Sequence, residues 1–256
     1  DYSPGYIYGN VKIHKPGFPL RPIISQFAAP TYHLAKTINS LIAPYCPNKY
    51  SLKSSFEFIN VIKGHRLTDG VMASLDVNSL FTNVPVDDTI DIILESVYHH
   101  PNLSPLVIER ELLVLCTKEL PFRHPNGDLF QQIDGVAMGS PLGPTFAGFY
   151  MGHLENKVFD GIIKKPTLYV RYVDDIFLIC QDISELLKLK DVFQENSVLS
   201  FTYELSNIQE ELSFLDVMIT KTVDGFRTGV YVKPTDAGVC MSGDGYCPDR
   251  YKKKRY

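Results

Sequence analysis

The sequence lacks long hydrophobic runs, repeats and low-complexity stretches. No stretch of about 18 consecutive apolar residues occurs, so we expect neither a membrane-spanning helix nor a membrane partner. The absence of a repeating period excludes solenoid and fibrous architectures. The first residue is Asp1 rather than Met, and no apolar signal core follows it. We therefore expect the chain to be a piece of a longer protein.

Cysteine is scarce and scattered. The five residues are Cys46, Cys116, Cys180, Cys240 and Cys247. Their number is odd and no pair has the two-residue spacing of a zinc knuckle, which argues against a disulfide framework or a structural zinc site. Reduced intracellular thiols are the simplest interpretation.

Net charge is also small, −4, but the charges are unevenly distributed. Residues 1–66 carry eight Lys or Arg against two acids, and residues 250–255 carry five against none. The intervening residues, 67–249, carry twelve bases against twenty-seven acids. Basic ends around an acidic centre suit a protein that binds phosphates at its edges and cations in its middle. Ordinary solvated charge asymmetry is the alternative.

Hydrophobic residues make up 45% of the chain, which is enough for one large domain or a few small subdomains. Strand and helix patterns are mixed, and their order predicts an α+β fold with an antiparallel sheet that carries helices on one face. The expected elements that matter most are a strand at 71–75 ending at Asp76, a helix beginning at Pro144, strands at 168–173 and 176–180, and one strand at 212–220.

Two adjacent carboxylates, Asp174 and Asp175, interrupt an otherwise apolar stretch. Crowding ionised groups away from water is costly, and a bound cation removes that cost. Carboxylate oxygens are the ligands that Mg²⁺ prefers. The pair is expected to form a tight hairpin turn, and a plain Asp-Asp turn without any cation is the alternative.

Two further features precede this pair in the chain. Asp76 ends the predicted strand and could converge with the hairpin, although a helix-capping Asp is the alternative. A glycine-rich loop, Gly135–Pro144, leads into a helix that contains small residues. Glycine allows a substrate to approach the backbone closely, whereas a simple flexible loop is the alternative.

Together these features resemble the catalytic domain of reverse transcriptases. The order is a strand ending in Asp, a Gly-Ser-Pro turn that enters a helix, and an aromatic-x-Asp-Asp hairpin. Further motifs narrow the resemblance to Penelope-like retroelements within the telomerase-related branch, and it covers nearly the whole chain. These motifs are Ser74–Pro85, Leu212–Asp216 and Tyr231–Asp236, and Tyr8–Pro16 with Leu20–Ile24 resembles the fingers motif of reverse transcriptases. Met138 stands where many retroelement enzymes carry Gln, and the C-terminal nuclease motifs of the Penelope-like family are not present.

The resemblance implies a right-hand polymerase. Fingers would span 1–70 with part of 100–135, the palm 71–234, and the start of a truncated thumb 235–256. It implies an RNA-directed DNA polymerase that extends a primer 3′-hydroxyl with dNTPs by two-metal-ion catalysis, with an RNA template and a DNA primer as partners. It also implies an intracellular protein that acts in the nucleus.

The resemblance also assigns roles to individual residues. Asp76 and Asp174 would bridge two Mg²⁺ ions, with Mn²⁺ as a possible substitute. Asp175 and the carbonyl of Val77 would complete the ligand set. The residues expected to bind the nucleotide or lie near the primer terminus are Lys15, Arg21, Phe81, Met138, Gly139 and Tyr172.

Three alternatives bear on these roles. Lys15 and Arg21 would neutralise triphosphate charge, unless they belong to a solvated basic loop. Phe81 would exclude the 2′-hydroxyl of a ribonucleotide, unless it is an ordinary core aromatic. An RNA-directed RNA polymerase and a non-catalytic nucleic-acid-binding relic are the competing functions, and Phe81 and the intact aspartates argue against them.

Overall fold

The computed structural model describes residues 2–13, 17–65, 70–161 and 164–236. The α-helices are α1 (Tyr32–Ile42), α2 (Ser55–Gly64), α3 (Leu80–Asn83), α4 (Val86–Tyr98), α5 (Arg110–Thr117), α6 (Gly143–Gly161) and α7 (Ile183–Glu195). The strands are β1 (Gly5–Val11), β2 (Leu20–Ser25), β3 (Val71–Val77), β4 (Pro121–Arg123), β5 (Leu129–Gln131), β6 (Leu168–Tyr172), β7 (Asp175–Cys180), β8 (Phe201–Leu205), β9 (Glu211–Phe214), β10 (Val217–Thr222) and β11 (Gly225–Val230).

A four-stranded antiparallel sheet of order β6-β7-β3-β8 lies at the centre of the fold. Because side chains alternate between the two faces of a strand, β3, β6 and β7 each contribute to two separate cores. Ala73 and Leu75 of β3 pack into the larger core together with α1, α4, α6 and α7. Met72 of β3 and Phe177 of β7 belong to a second, smaller core that includes residues of α2, β9 and β10. The sheet is therefore covered by helices on one face and by α2 with a small sheet on the other.

The small sheet has the order β11-β10-β9 and is antiparallel throughout. The single strand expected at 212–220 is wrong, because Leu215 and Asp216 separate β9 from β10. Both residues have positive φ, 49° and 60°, and the flanking Phe214 and Val217 are paired. This is the backbone of a two-residue hairpin turn, which usually contains Gly or Asn. No glycine marks it here.

A third sheet, of order β2-β1-β4-β5, contains the N-terminal hairpin. Strands β1 and β2 pair antiparallel, whereas β1 and β4 pair in parallel through Gly5–Phe122 and Tyr6–Arg123. Segment 121–131, far along the chain, is thereby joined to the N-terminal strands.

The predicted α+β class with an antiparallel sheet and helices is confirmed. Among the described residues, no helix has both the length and the apolar character needed to cross a membrane.

Candidate active site

Asp76 and Asp175 face each other across two neighbouring strands. The β3–β7 register pairs them directly, and Ser74 pairs with Phe177 two residues away. Opposed residues in an antiparallel pair have Cα atoms roughly 4.5–5.5 Å apart and side chains on the same face. A hundred residues of sequence separation are thus closed by strand pairing alone.

Asp174 lies in the turn that joins β6 to β7. Tyr172 and Asp175 form the closing pair of this hairpin, so the two turn residues are Val173 and Asp174. The expected Asp174-Asp175 turn is therefore displaced by one residue, because Asp175 already belongs to β7. The carbonyl of Asp174 accepts a hydrogen bond from the backbone N–H of Val77, 3.2 Å away. This contact places the turn against the end of β3.

Val173 has a φ of 57°, the left-handed region that a β-branched residue rarely adopts. Such a conformation costs about 1–3 kcal/mol and persists only where surrounding contacts enforce it. Strained residues of this kind cluster at active sites, where the strain fixes the orientation of neighbouring groups.

Besides the bond from Val77, Arg171 supports this turn through a side-chain hydrogen bond. Its Nη1 donates to the carbonyl of Val173 at 3.0 Å. Its Nε and Nη2 donate to the two carboxylate oxygens of Glu155 on α6, at 2.6 and 3.1 Å. The hydroxyl of Tyr169 donates to the same carboxylate at 3.0 Å. Arg171 and Glu155 are 2% and 1% exposed, so this is a buried ion pair directly beside the turn.

The three aspartates open onto one cavity of about 670 Å³. Its wall joins the ends of β3 and the β6–β7 turn to the N-terminal hairpin and the glycine-rich loop. The lining residues are Lys12, Leu20, Arg21, Pro22, Asp76, Val77, Asn78, Ser79, Leu80, Phe81, Thr82, Met138, Asp174, Asp175 and Lys233. Seven residues predicted from the sequence therefore meet in one place, namely Arg21, Asp76, Val77, Phe81, Met138, Asp174 and Asp175.

Burial and mutual repulsion both disfavour the charged form of Asp175. Partial burial, together with the nearby charges of Asp174, Asp76 and Asp216, raises the pKa of Asp175 to about 6, while Lys233 opposes the shift. Asp175 remains solvent-exposed, so screening limits the cost of this repulsion to the fold. The arrangement nevertheless favours any cation that neutralises the three groups.

The three carboxylates of the cavity are the kind of oxygen ligand that Mg²⁺ prefers. Across the ranges 2–13, 17–65, 70–161 and 164–236, however, no three His, Cys, Asp or Glu side chains are gathered closely enough to form a ready coordination shell. The aspartates share the cavity without being closed around a single point.

Two of the other predicted residues, Tyr172 and Gly139, do not line the cavity. Tyr172 is 36% exposed and lies outside the cavity lining. Gly139 has a φ of +125°, and a Cβ added there would lie 2.5 Å from the carbonyl oxygen of Ile24. The backbone that approaches Gly139 is thus the protein's own, at the point where Met138 accepts a hydrogen bond from Ile24. Lys15 lies outside the described residues.

Sequence reasoning missed two cations in the cavity wall, Lys12 and Lys233. The Nζ of Lys233 is 3.7 Å from Asp216, which follows β9. Lys233 also lines an adjoining cavity of about 710 Å³ between the central sheet and the β9–β11 sheet. Its presence in the Tyr231–Asp236 motif was the available signal, but nothing in the spacing showed that this motif folds back onto Asp175.

The described cysteines take no part in this chemistry. Cys46, Cys116 and Cys180 are free. Burial raises the pKa of each thiol, to about 11 for Cys46 and Cys116 and to about 12 for Cys180. Protonated thiols are poor nucleophiles and poor metal ligands.

Comparison with known proteins identifies a matching sequence family and solved structures with a similar fold. The sequence profile described as Reverse transcriptase (RNA-dependent DNA polymerase) matches residues 13–203. No curated protein sequence matches the chain.

Among solved structures, the Candida tropicalis telomerase truncated from its C-terminal domain is similar with a TM-score of 0.63 at 15% identity, covering 89% of this chain and 56% of that one. Telomerase from Candida albicans, in complex with a fragment of telomeric RNA, gives 0.62 at 13% identity, with 90% and 46% covered. The RNA-dependent RNA polymerase of a human picobirnavirus gives 0.54 at 12%, with 89% and 45% covered. The chain thus spans about half the length of these proteins, and at these identities the likeness shows the fold alone.

Proposed function

The chain belongs to the reverse transcriptase family. We propose that it is an RNA-directed DNA polymerase that extends a primer 3′-hydroxyl with dNTPs. The observation that carries the proposal is the pairing of Asp76 with Asp175 beside the Asp174 turn, in a cavity that also contains Arg21 and Phe81.

We propose that Asp76, Asp174 and Asp175, with the carbonyl of Val77, hold two Mg²⁺ ions, or Mn²⁺ in their place. When bound, such a pair of ions supplies Lewis acidity to both the attacking and the leaving oxygen of a phosphoryl transfer. Partial burial and the nearby charges of Asp174 and Asp76 raise the pKa of Asp175, and this supports the assignment because a bound cation would stabilise the charged carboxylate against both effects.

The opposite wall of the cavity would bind the nucleotide. Arg21 offers a planar guanidinium that can contact phosphate oxygens bidentately, and Lys12 adds a second positive charge. Phe81 would lie against the sugar, where its ring leaves no room for a 2′-hydroxyl. Met138 would lie beside the base. Lys15, Gly139 and Tyr172 keep the nucleotide and primer roles that the resemblance gives them, as proposals.

The wider assignments rest on the same resemblance. We propose fingers at 1–70 with part of 100–135, a palm at 71–234 and the start of a thumb at 235–256. The pairing of β1 with β4 supports joining the later segment to the fingers. We also propose that the chain derives from a Penelope-like mobile element, that its partners are an RNA template and a DNA primer, and that it acts in the nucleus.

RNA synthesis is the second candidate, because the picobirnavirus enzyme shares the fold. The position of Phe81 in the cavity wall favours deoxyribonucleotides instead, and sugar selectivity separates the two functions.

Primer extension tests the proposal. The chain should extend a DNA primer on an RNA template with dNTPs and Mg²⁺, and Asp174→Asn should abolish synthesis while template–primer binding is retained. Asp224→Asn, an exposed acid in the β10–β11 turn, is the matched control and should be fully active. An Asp174→Asn variant that extends primers at the unmodified rate contradicts the metal assignment. If the unmodified chain binds nucleic acid but does not extend primers, the alternative of a non-catalytic nucleic-acid-binding relic is supported instead.

A further inference from the structure

Two tyrosines are stacked on the open face of β1. The rings of Tyr6 and Tyr8 have centroids 5.8 Å apart and planes inclined by 29°. Their exposed fractions are 56% and 43%, which is high for aromatic rings that a core would otherwise bury. Since residues two apart in a strand lie on the same face, the stacked pair presents one continuous aromatic surface to solvent.

Positive charge flanks this pair at both ends. The parallel register places Arg123 of β4 beside Tyr6. Asn10, the next residue of β1 on the tyrosine face, is paired with Arg21 of β2, which lines the candidate active-site cavity. Strands β1, β2, β4 and β5 contain these two arginines and no Asp or Glu. We call Tyr6, Tyr8, Asn10, Arg21 and Arg123 the tyrosine strip.

The strip leads away from the cavity. Asn10 lies four positions beyond Tyr6, which at the rise of a β-strand corresponds to about 13 Å. Aromatic rings with arginines alongside, and without acids, match the two requirements of single-stranded nucleic acid, a stacking surface for bases and counter-charge for phosphates. The favoured occupant is therefore a polyanion with flat, unpaired bases.

We infer that the tyrosine strip binds unpaired template nucleotides just before they enter the active site, with bases stacked on Tyr6 and Tyr8. This inference rests on the proposed function, because it takes the cavity as the place where the template is copied. Base stacking on aromatic side chains tolerates every sequence, so binding should depend on the presence of an overhang and not on its bases.

The test compares two template–primer duplexes that differ only in a single-stranded 5′ template overhang. Affinity is measured by fluorescence anisotropy with no nucleotides present. The unmodified chain should bind the overhang duplex more tightly than the blunt one. The double variant Tyr6→Ala/Tyr8→Ala should lose at least about fivefold of that gain, the low end of what one stacked base contributes. Its affinity for the blunt duplex should be unchanged.

Two control variants separate stacking from other effects. Tyr6→Phe/Tyr8→Phe keeps both rings and should retain the overhang gain, whereas a role for the hydroxyl groups would remove it. Phe56→Ala removes a ring that is 78% exposed on α2, which is not part of the strip, and should behave as the unmodified chain.

The inference is overturned if the unmodified chain binds the overhang duplex no more tightly than the blunt one. It is also overturned if Tyr6→Ala/Tyr8→Ala keeps the full gain in affinity, which is the result expected if the strip binds a protein instead. Primer extension is measured separately on the overhang duplex. A chain that shows the tyrosine-dependent gain without extending primers refutes the proposed polymerase activity and leaves the strip in place. A chain that binds neither duplex refutes both.

Discussion

The buried ion pair beside the Val173–Asp174 turn gives the sharpest prediction. Arg171 contacts Glu155 through two nitrogens and the Val173 carbonyl through a third. Arg171→Met removes the guanidinium while keeping much of the apolar stem. The carboxylate of Glu155 then remains buried with only the hydroxyl of Tyr169 as a hydrogen-bond donor among these groups.

The expected loss of stability follows from the burial of both partners. Removing one member of a buried ion pair costs about 3–5 kcal/mol, because the other charge is left uncompensated. Tyr169→Phe is the matched control, since it removes one hydrogen bond to the same carboxylate and leaves the guanidinium contacts in place. A hydrogen bond to a charged group contributes about 1.5–3 kcal/mol, so this variant should lose clearly less.

The double variant Glu155→Leu/Arg171→Met separates stability from catalysis. Replacing both members of a buried pair by apolar residues is often neutral for stability, so it should lose much less than the sum of the single changes. It still lacks the hydrogen bond to the Val173 carbonyl, and the strained turn loses its nearest support. Primer extension should therefore remain slow in a chain that is stably folded.

Urea unfolding followed by circular dichroism measures the free energies of unfolding, and single-turnover primer extension measures the rate of the chemical step. A loss below about 1 kcal/mol for Arg171→Met would show that water reaches the pair, in contradiction to its burial. A double variant that is both stable and fully active would refute the link between Arg171 and the geometry of the turn.

Three other predictions concern the cavity wall. Arg21→Ala should raise the nucleotide KM or lower kcat by about tenfold, equivalent to about 1.4 kcal/mol for a lost charge-assisted contact; unchanged steady-state kinetics would assign Arg21 to the surface. Phe81→Ala should keep dNTP incorporation and admit ribonucleotides, as measured by competition between the two; intact discrimination in a destabilised variant would make Phe81 a core residue. Folding raises the pKa of Asp175 from its ordinary 3.8 to about 6, so the folded chain holds this proton more tightly than the unfolded chain. This stabilisation is present below about pH 4 and lost as the pH rises through about 6. The free energy of unfolding of the metal-free chain, measured by urea titration, should therefore decline over this pH range, and Asp175→Asn should not show this decline.

Much of the central site could be predicted because its geometry follows from strand pairing. An acid at the end of β3 and an acid at the start of β7 become neighbours as soon as the two strands pair antiparallel, whatever the sequence between them. The convergence of these acids was predicted from the resemblance of the motif order to reverse transcriptases. The hairpin bounds were one residue off because the positive φ belongs to Val173, and a β-branched residue is the last one that turn preferences would select.

The turn at Leu215 and Asp216 was missed for the same kind of reason. Turn preferences depend on the backbone cost of positive φ, which Gly avoids. Here the paired strands on either side fix the backbone, and the two residues adopt positive φ without glycine. Tertiary pairing outweighs the local preference, so a pattern of alternating apolar residues predicted one strand where there are two.

The supporting ion pair could not have been predicted from either residue alone. Glu155 lies in a helix and Arg171 in a strand, and both would ordinarily be placed at the surface. The turn gives a reason for their burial. The positive φ of Val173 and the repulsion among three aspartates both destabilise the folded turn, so the turn needs support from neighbouring groups. A bidentate, water-excluded pair directly beside the turn holds the carboxylates in an arrangement that cations would relieve. The local conflict between sequence preference and backbone geometry is therefore a separate argument for the proposed catalytic role of this turn.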